Sequence, residues 1–218
     1  MTNTLESPEV RNVLDRLFAD AERDDDVPSP WAEGRSYESA TALERADALA
    51  EVYMPISAAG GGLLYSLVRA VRPKTVVEFG TSYGISTVYL AAAVADNGVG
   101  RVLTTELSET KIAAARGSLD EAGVGTSVTI LGGDALETLA EVPGPIDFVL
   151  LDGWKDLCLP VLRLLEDRLA PGALVVADDI SFASMGEYLA YVRDSANGYV
   201  STEFPVEDGM EISCRAAS

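Results

Sequence analysis

The spacing of apolar residues predicts helices in the first third of the chain and alternating strands and helices after it. Apolar positions recur at helical spacing over residues 9–23, 40–52 and 57–71. Short apolar runs then predict strands at Thr75–Phe79, Val102–Glu106, Val128–Leu131, Ile146–Asp152 and Ala173–Asp178. Helical patterns follow these strands at Gly84–Val94, Glu109–Ala122, Ala135–Glu141, Leu157–Leu169 and Ser184–Ser195. Two further strand-like runs, 199–204 and 210–215, form a predicted hairpin at the end.

This order of elements is typical of an α/β protein with a doubly wound sheet. Strands joined through helices are expected to run parallel, with helices on both faces of the sheet. The closing hairpin adds an antiparallel end, so we predict a mainly parallel seven-stranded sheet of the Rossmann-like type. The 218 residues suffice for one buried core, and a single domain over residues 1–218 is expected.

The amino-acid composition excludes several kinds of catalytic and metal-binding site. The chain has no histidine, which excludes Ser-His-Asp and Cys-His catalysis and the usual histidine-containing zinc sites. Its two cysteines, Cys158 and Cys214, are far apart and are expected to be partly buried free thiols. A general base must therefore be Lys, Tyr, Asp or Glu, and a metal must be held mainly by oxygen atoms.

The charge balance also bears on partners and location. The formal net charge is −19, and no dense Lys/Arg run interrupts it, so neither nucleic acid nor an anionic membrane surface is an expected partner. The alternative explanation of the acidic composition is that it keeps the protein soluble. The first ten residues lack a basic start and an apolar core segment, and no apolar run is long enough to span a bilayer. A cytoplasmic protein is expected.

The turn after the first predicted strand indicates the kind of cofactor. It reads Gly80-x-x-x-Gly84, with Ser82 where a dinucleotide-binding turn has its middle glycine, and residues 75–97 contain no Lys or Arg to hold phosphate. Glu106 ends the second strand, where an acid can accept the hydroxyls of a ribose. A nucleoside without phosphate groups fits these features, and S-adenosylmethionine is such a molecule.

Acidic residues end several of the predicted strands. They should meet at one edge of a parallel sheet, and they are Glu106, Asp134, Asp152, Asp178 and Asp179. The last three offer carboxylates without imidazole, a ligand set that hard divalent cations prefer. Trp154 follows closely and can stack on a flat ring such as adenine. The alternative is structural: Asp178-Asp179 caps a helix, and Lys155 merely neutralises an acid.

At this point the chain resembles a known family. It looks like the metal-dependent class I S-adenosylmethionine O-methyltransferases of the catechol and caffeoyl-CoA O-methyltransferase type. The matching segments occur in the family's order, and they are residues 54–57, 77–86, 105–106, 133–135, 151–156 and 177–179. The run Asp-Gly-Trp-Lys-Asp at 152–156 is the most specific of them and looks nearer the catechol type.

The resemblance implies a role for each matching residue. The contacts to S-adenosylmethionine would come from Met54, Glu78, Gly80, Ser86, Glu106, Asp134 and Trp154. Mg²⁺ would be held by Asp152, Asp178 and Asp179, with Lys155 as the general base. Asp179 departs from the family, which commonly has asparagine there. The extra carboxylate is expected to keep a divalent ion bound, to tighten the site, to slow product release, or to favour Ca²⁺ or Mn²⁺.

The implied reaction is methyl transfer to a hydroxyl of a small catechol-like phenolic substrate. In the family the N-terminal region, here residues 1–53, closes over the substrate. Trp31, Tyr37 and Tyr53 are candidates for an aromatic lid, with ordinary packing as the alternative, and Glu203 or Glu207 is a further candidate contact to the substrate. Relatives are often dimers, so a homodimer is one expected state.

Two other functions stay open at this stage. A methyltransferase of the same fold can act on an amine or a carboxylate, and a protein can keep the fold and bind the cofactor without catalysis. Lys155 and the three aspartates argue against the second of these. An NAD-dependent dehydrogenase is disfavoured because the turn lacks its middle glycine.

Overall fold

The computed structural model describes residues 3–28, 31 and 36–216. Its strands form a single seven-stranded sheet in the order β3-β2-β1-β4-β5-β7-β6. The strands are β1 Thr75–Phe79, β2 Arg101–Glu106, β3 Val128–Gly132, β4 Ile146–Leu151, β5 Leu169–Ala177, β6 Tyr199–Phe204 and β7 Met210–Arg215. Strands β1 to β5 pair in parallel, whereas β7 is antiparallel to both β5 and β6. The predicted fold class is confirmed.

Eight α-helices connect and cover the strands within the described part of the chain. They are α1 Pro8–Ala21, α2 Ala42–Ala48, α3 Ala58–Val71, α4 Ile85–Asn97, α5 Glu109–Glu121, α6 Ala135–Thr138, α7 Cys158–Leu165 and α8 Gly186–Arg193. Helix α7 ends four residues before the predicted boundary at Leu169, which opens β5 instead. The guanidinium of Arg168 donates to the Leu164 carbonyl at 2.6 Å, so a side chain satisfies a carbonyl near the helix end. No described helix is long and apolar enough to cross a membrane.

Apolar side chains pack on both faces of the sheet. Successive residues of a strand point to opposite faces, and Val76 belongs to one buried cluster while Val77 belongs to the other. Helices α1, α3 and α4 cover the Val76 face, and α7 and α8 cover the Val77 face. Both faces are therefore closed to water, and the site must lie at an edge.

The carboxyl ends of β1 and β4 meet at the point where the strand order reverses. The amide of Asp152 donates to the Phe79 carbonyl at 2.9 Å. Gly80 follows with φ 102°, and a Cβ on it would lie 2.8 Å from the Asp152 carbonyl, so this close approach requires glycine. In open α/β sheets such a reversal leaves a crevice where ligands bind.

Candidate functional site

A cavity of about 740 Å³ opens at this edge of the sheet. Its size is within the range of sites that bind small molecules. All the predicted site residues except Glu78 line it: Met54, Gly80, Ser86, Glu106, Asp134, Asp152, Trp154, Lys155, Asp178 and Asp179. We call the part around Gly80–Gly84 and Glu106 the glycine-turn half, and the part around Asp152, Asp178 and Asp179 the aspartate half.

In the glycine-turn half, backbone amides hold the carboxylate of Glu106. One oxygen accepts from the amides of Leu107 and Ser108, at 2.8 and 2.9 Å, and the other accepts from the Ser82 amide at 2.8 Å. Ser82 has φ 46°, a left-handed conformation that turns its amide toward Glu106. The residue in the place of the middle glycine therefore positions the predicted ribose acceptor.

A clamp that the sequence did not reveal joins the N-terminal region to this turn. The carboxylate of Asp24 accepts from the amides of Tyr53 and Met54, both at 2.8 Å. The Ser82 hydroxyl donates to the Tyr53 carbonyl at 2.6 Å, and the Tyr53 ring stacks on Tyr83 with centres 3.8 Å apart. Met54 is thereby held over the cavity with φ 47°. Residues 22–26 gave no such signal, because an acidic run usually lies in solvent.

Lys111 is a second residue that the sequence did not indicate. It lies on α5, is 3% exposed and lines the glycine-turn half, with its ammonium 5.8 Å from the centre of the Tyr83 ring. Residues 75–97 contain no Lys or Arg, but Lys111, outside that range, brings a basic side chain to the cavity. The available signal was a lysine in the row of small and apolar positions 111, 115 and 119, which α5 buries.

Glu78 does not line the cavity. Its side chain is fully buried, and its two carboxylate oxygens accept from the hydroxyls of Ser86 and Thr87, at 2.7 and 2.6 Å. Burial raises the pKa of Glu78 to about 7, although the hydroxyl donors act in the opposite direction. Strand β1 is covered on both faces, so a side chain in its middle points into the core. Ser86, which donates to Glu78, does line the cavity.

The aspartate half gathers the three predicted metal ligands around one lysine. Carboxylate oxygens of Asp152, Asp178 and Asp179 lie within 4.8 Å of one another. The Lys155 ammonium is 2.8 Å from an Asp152 oxygen and 3.0 Å from an Asp179 oxygen. Asp179 has φ 55°, a conformation that Asp and Asn adopt more readily than most residues. The same backbone therefore accommodates the family's asparagine.

Crowding and burial shift the pKa values of this group. Burial, followed by repulsion from Asp152 and Asp179, raises the pKa of Asp178 to about 8. Burial also raises the pKa of Asp152, against the influence of Lys155. Burial alone would lower the pKa of Lys155, but its two carboxylate neighbours outweigh burial and raise it. One lysine thus faces three carboxyl groups, so the half carries an excess of negative charge.

Arg45 connects the N-terminal region to the loop that carries Lys155. It is 6% exposed and donates to an Asp156 oxygen at 2.7 Å and to the Tyr37 carbonyl at 3.0 Å. Its guanidinium carbon lies 4.2 Å from the centre of the Tyr37 ring and 6.0 Å from that of Trp154. Trp31 packs edge-on against Tyr37, with ring centres 6.0 Å apart.

The structure distinguishes between the candidates for substrate contact. Tyr37 and Tyr53 line the cavity, whereas Trp31 is not among the lining residues and packs against Tyr37. Glu203 and Glu207 do not line it, and Glu203 pairs with Arg193 at 3.1 Å. Phe182 and Asp208 line the cavity in their place. Phe182 leaves 53% of its surface exposed and offers an apolar side near the aspartates.

The residues present fit the two groups that the resemblance implies. The aspartate half supplies only oxygen donors, close enough together to share one divalent ion, and its excess negative charge favours a cation. The glycine-turn half supplies an acid held by backbone amides, and Trp154 offers a flat apolar face beside the cavity. Both halves belong to one continuous cavity, so a methyl donor and a metal-bound acceptor can meet there.

Comparison with known proteins agrees with this geometry. Residues 77–180 match the family described as a methyltransferase domain. The chain is 32% identical over 151 residues to the catechol O-methyltransferase of Mus musculus, covering 66% of this chain and 56% of the mouse protein. It is 31% identical over 151 residues to that of Niastella koreensis, covering 66% of this chain and 67% of the bacterial protein.

Solved structures share the fold. The O-methyltransferase TomG from Streptomyces achromogenes, in complex with SAM, superimposes with a TM-score of 0.72 at 23% identity, covering 94% of this chain and 90% of that one. The chain therefore belongs to the family of S-adenosylmethionine-dependent O-methyltransferases that includes the catechol O-methyltransferases.

Proposed function

We propose that this protein transfers a methyl group from S-adenosylmethionine to one hydroxyl of a small vicinal dihydroxy aromatic, with a divalent metal ion. The observation that carries the proposal is the junction of the two halves: the aspartates and Lys155 share one cavity with the turn that holds Glu106. A cofactor site alone would support methyl transfer to many acceptors. The cluster of oxygen donors beside it favours an acceptor with two adjacent hydroxyl oxygens.

Each half would have its own task. Glu106 would accept from the ribose, and Trp154 and Met54 would contact the nucleoside and the methionine part of the cofactor. Asp152, Asp178 and Asp179 would hold Mg²⁺, which, when bound, supplies a Lewis acid that favours the ionised form of an acceptor hydroxyl. Tyr37 and Phe182 would enclose the aromatic ring of the acceptor.

Lys155 would be the base. Next to uncompensated carboxylates its pKa is raised, and it stays protonated. With the charge of Asp152 and Asp179 compensated by a bound cation, the burial of Lys155 would favour the neutral amine. The neutral amine then takes the proton of the acceptor hydroxyl. The acceptor oxygen attacks the methyl carbon, the carbon–sulfur bond breaks, and S-adenosylhomocysteine leaves; alignment of the reacting atoms supplies much of the acceleration.

Methyl transfer to a catechol, measured before and after metal removal, tests the proposal. We expect turnover with Mg²⁺, its loss in excess EDTA, and its return on adding back the ion. Full turnover in excess EDTA would rule out the metal role. A panel of catechols, amines and carboxylates offered with labelled S-adenosylmethionine tests the acceptor class, and labelling of amines or carboxylates alone would overturn it.

The variant Asp179→Asn tests the unusual ligand. It restores the family's asparagine in a backbone conformation that suits both residues. Because one negative charge is removed, we expect weaker metal binding, measured by calorimetry, and a smaller preference for Ca²⁺ or Mn²⁺ over Mg²⁺. Unchanged metal affinity would show that the extra negative charge of Asp179 does not strengthen metal binding.

A further inference from the structure

Lys111 is placed toward the ligand by the packing of α5 on the glycine turn. A Cβ on Gly84 would lie 3.4 Å from the Cβ of Ala115, so this face of α5 touches the turn. Lys111 precedes Ala115 by four residues and therefore lies on the same face, one helical turn nearer the Glu106 loop. Its side chain lines the cavity at that position.

The ammonium of Lys111 has unused hydrogen-bonding capacity. Within the described residues, no carboxylate lies within 4.0 Å of its nitrogen and no acceptor forms a hydrogen bond with it; its recorded contact is the face of the Tyr83 ring. The charges of Glu106 and Asp24 act on it from a longer distance. A buried ammonium with three donors is unfavourable unless acceptors are supplied. A ligand in the cavity can supply them.

Glu106, by contrast, has little capacity left. A carboxylate offers about four acceptor positions, and the amides of Ser82, Leu107 and Ser108 occupy three of them. About one position remains for a ribose that presents two adjacent hydroxyls. The second hydroxyl therefore needs a partner other than Glu106, and its oxygen can accept a hydrogen bond.

We propose that Lys111 is a further cofactor-binding residue, which donates a hydrogen bond to a ribose hydroxyl oxygen of the bound nucleoside. The proposal rests on the function proposed above. Glu106 and Lys111 then act as an acceptor and donor pair, and the diol is bound by two side chains, one from the end of β2 and one from α5. Burial lowers the pKa of Lys111 to about 8, against Glu106 and Asp24, so the ammonium form still prevails at neutral pH.

Calorimetry with S-adenosylhomocysteine and with its 2′-deoxy and 3′-deoxy analogues tests this assignment. Lys111→Met keeps the length and removes the donor, and Lys74→Met is the control, because it removes the same charge from an exposed position. We expect Lys111→Met to weaken S-adenosylhomocysteine binding about 10-fold or more, as for loss of a charge-assisted hydrogen bond. For the analogue that lacks the contacted hydroxyl, wild type and Lys111→Met should bind within about threefold of each other.

The outcomes separate the two proposals. Wild type that binds no S-adenosylhomocysteine overturns the proposed function and this assignment together. If wild type binds, unchanged affinity in Lys111→Met overturns the assignment alone, and so does an equal loss for the parent ligand and both analogues. Thermal unfolding serves as a second measurement: removal of a buried cation should leave the midpoint unchanged or raise it, and a large fall would assign Lys111 a structural role.

Discussion

The two halves of the cavity satisfy their charged groups in opposite ways. In the glycine-turn half, Glu106 receives three amide hydrogen bonds, and Asp24 receives two. In the aspartate half, three carboxyl groups share one lysine. The first half is completed by the protein's own backbone. The second half has more carboxyl groups than cations, a balance that would suit a divalent cation.

This difference divides the work of the proposed reaction. Fixed amide dipoles keep an acceptor for the nucleoside in place before it binds, which limits the reorganisation needed on binding. Asp152, Asp178 and Asp179 repel one another and would hold a divalent cation, whose charge would weaken the ion pairs of Lys155 with Asp152 and Asp179. Changes in the glycine-turn half should therefore alter mainly cofactor affinity, and changes in the aspartate half should alter mainly turnover.

The largest expected effect comes from Lys155→Met. If Lys155 is the base, turnover should fall by roughly 10²- to 10⁴-fold, the usual contribution of a positioned general base. Affinity for S-adenosylhomocysteine, measured by calorimetry, should change by less than about threefold, since Glu106, the proposed ribose acceptor, lies in the other half. Turnover close to that of wild type would show that Lys155 is not the base. A loss of affinity for S-adenosylhomocysteine as large as the loss of turnover would show that the two halves do not have separate tasks.

A second prediction concerns Glu78, behind the glycine-turn half. Its folded pKa, about 7, is above the ordinary value of 4.5, so the folded state binds the proton more tightly. Its contribution to stability is therefore complete below about pH 4.5 and is lost as the pH rises to about 7, by about 3 kcal/mol at most. In urea unfolding, the difference in stability between wild type and Glu78→Gln should change by that amount over this window. If the stabilities of wild type and Glu78→Gln changed with pH in the same way, the result would contradict this prediction.

Asp24 offers a matched test of the clamp. Asp24→Ala leaves the amides of Tyr53 and Met54 without their acceptor, which should lower the free energy of unfolding by about 2 kcal/mol. Affinity for S-adenosylhomocysteine should also fall, because Met54 is no longer held over the cavity. Asp25→Ala, a change in the same acidic turn, is the control and should shift neither value by more than about 0.5 kcal/mol. Equal effects of the two variants would refute the clamp.

The smallest expected effect is that of Arg45→Met. Loss of the stacking on Tyr37 and of the hydrogen bonds should lower stability by about 1 kcal/mol, since Asp156 is 45% exposed and is readily hydrated when left alone. The chain has two tryptophans, Trp31 and Trp154, and both belong to this cluster. Intrinsic fluorescence should therefore change in Arg45→Met. Arg16→Met, which breaks an exposed pair with Glu121, should leave the fluorescence unaltered.

The elements that the sequence predicted well are those with a strong local signal. Strands β1 and β4 are mostly apolar runs, and both were placed within one residue of their observed ends. The acids that end the strands were also predictable, because parallel strands bring their carboxyl ends to one edge. Helix α7 was predicted too long because the Arg168 side chain, which bonds to the Leu164 carbonyl, carries no periodic signal.

The residues that escaped prediction act over long sequence separations. Asp24 bonds to amides about thirty positions away, and Arg45 pairs with Asp156 across 111 positions. Nothing local distinguishes these side chains from ordinary surface charges. Glu78 shows a different kind of gap: the resemblance implies a cofactor contact, and only the structure shows that its carboxylate accepts hydrogen bonds from Ser86 and Thr87.

The sequence alone determined the fold class, and it predicted a site at the strand ends with carboxylates, Lys155 and no imidazole. These follow from periodicity and composition, which are local properties. Only the tertiary structure decided which charges are satisfied. In the folded chain, backbone amides donate to Glu106, and three aspartates lie around one lysine. Lys111 lines the cavity beside a turn that itself contains no basic residue. The physical reason is that burial and pairing depend on distances between residues far apart in the chain, and only folding fixes those distances.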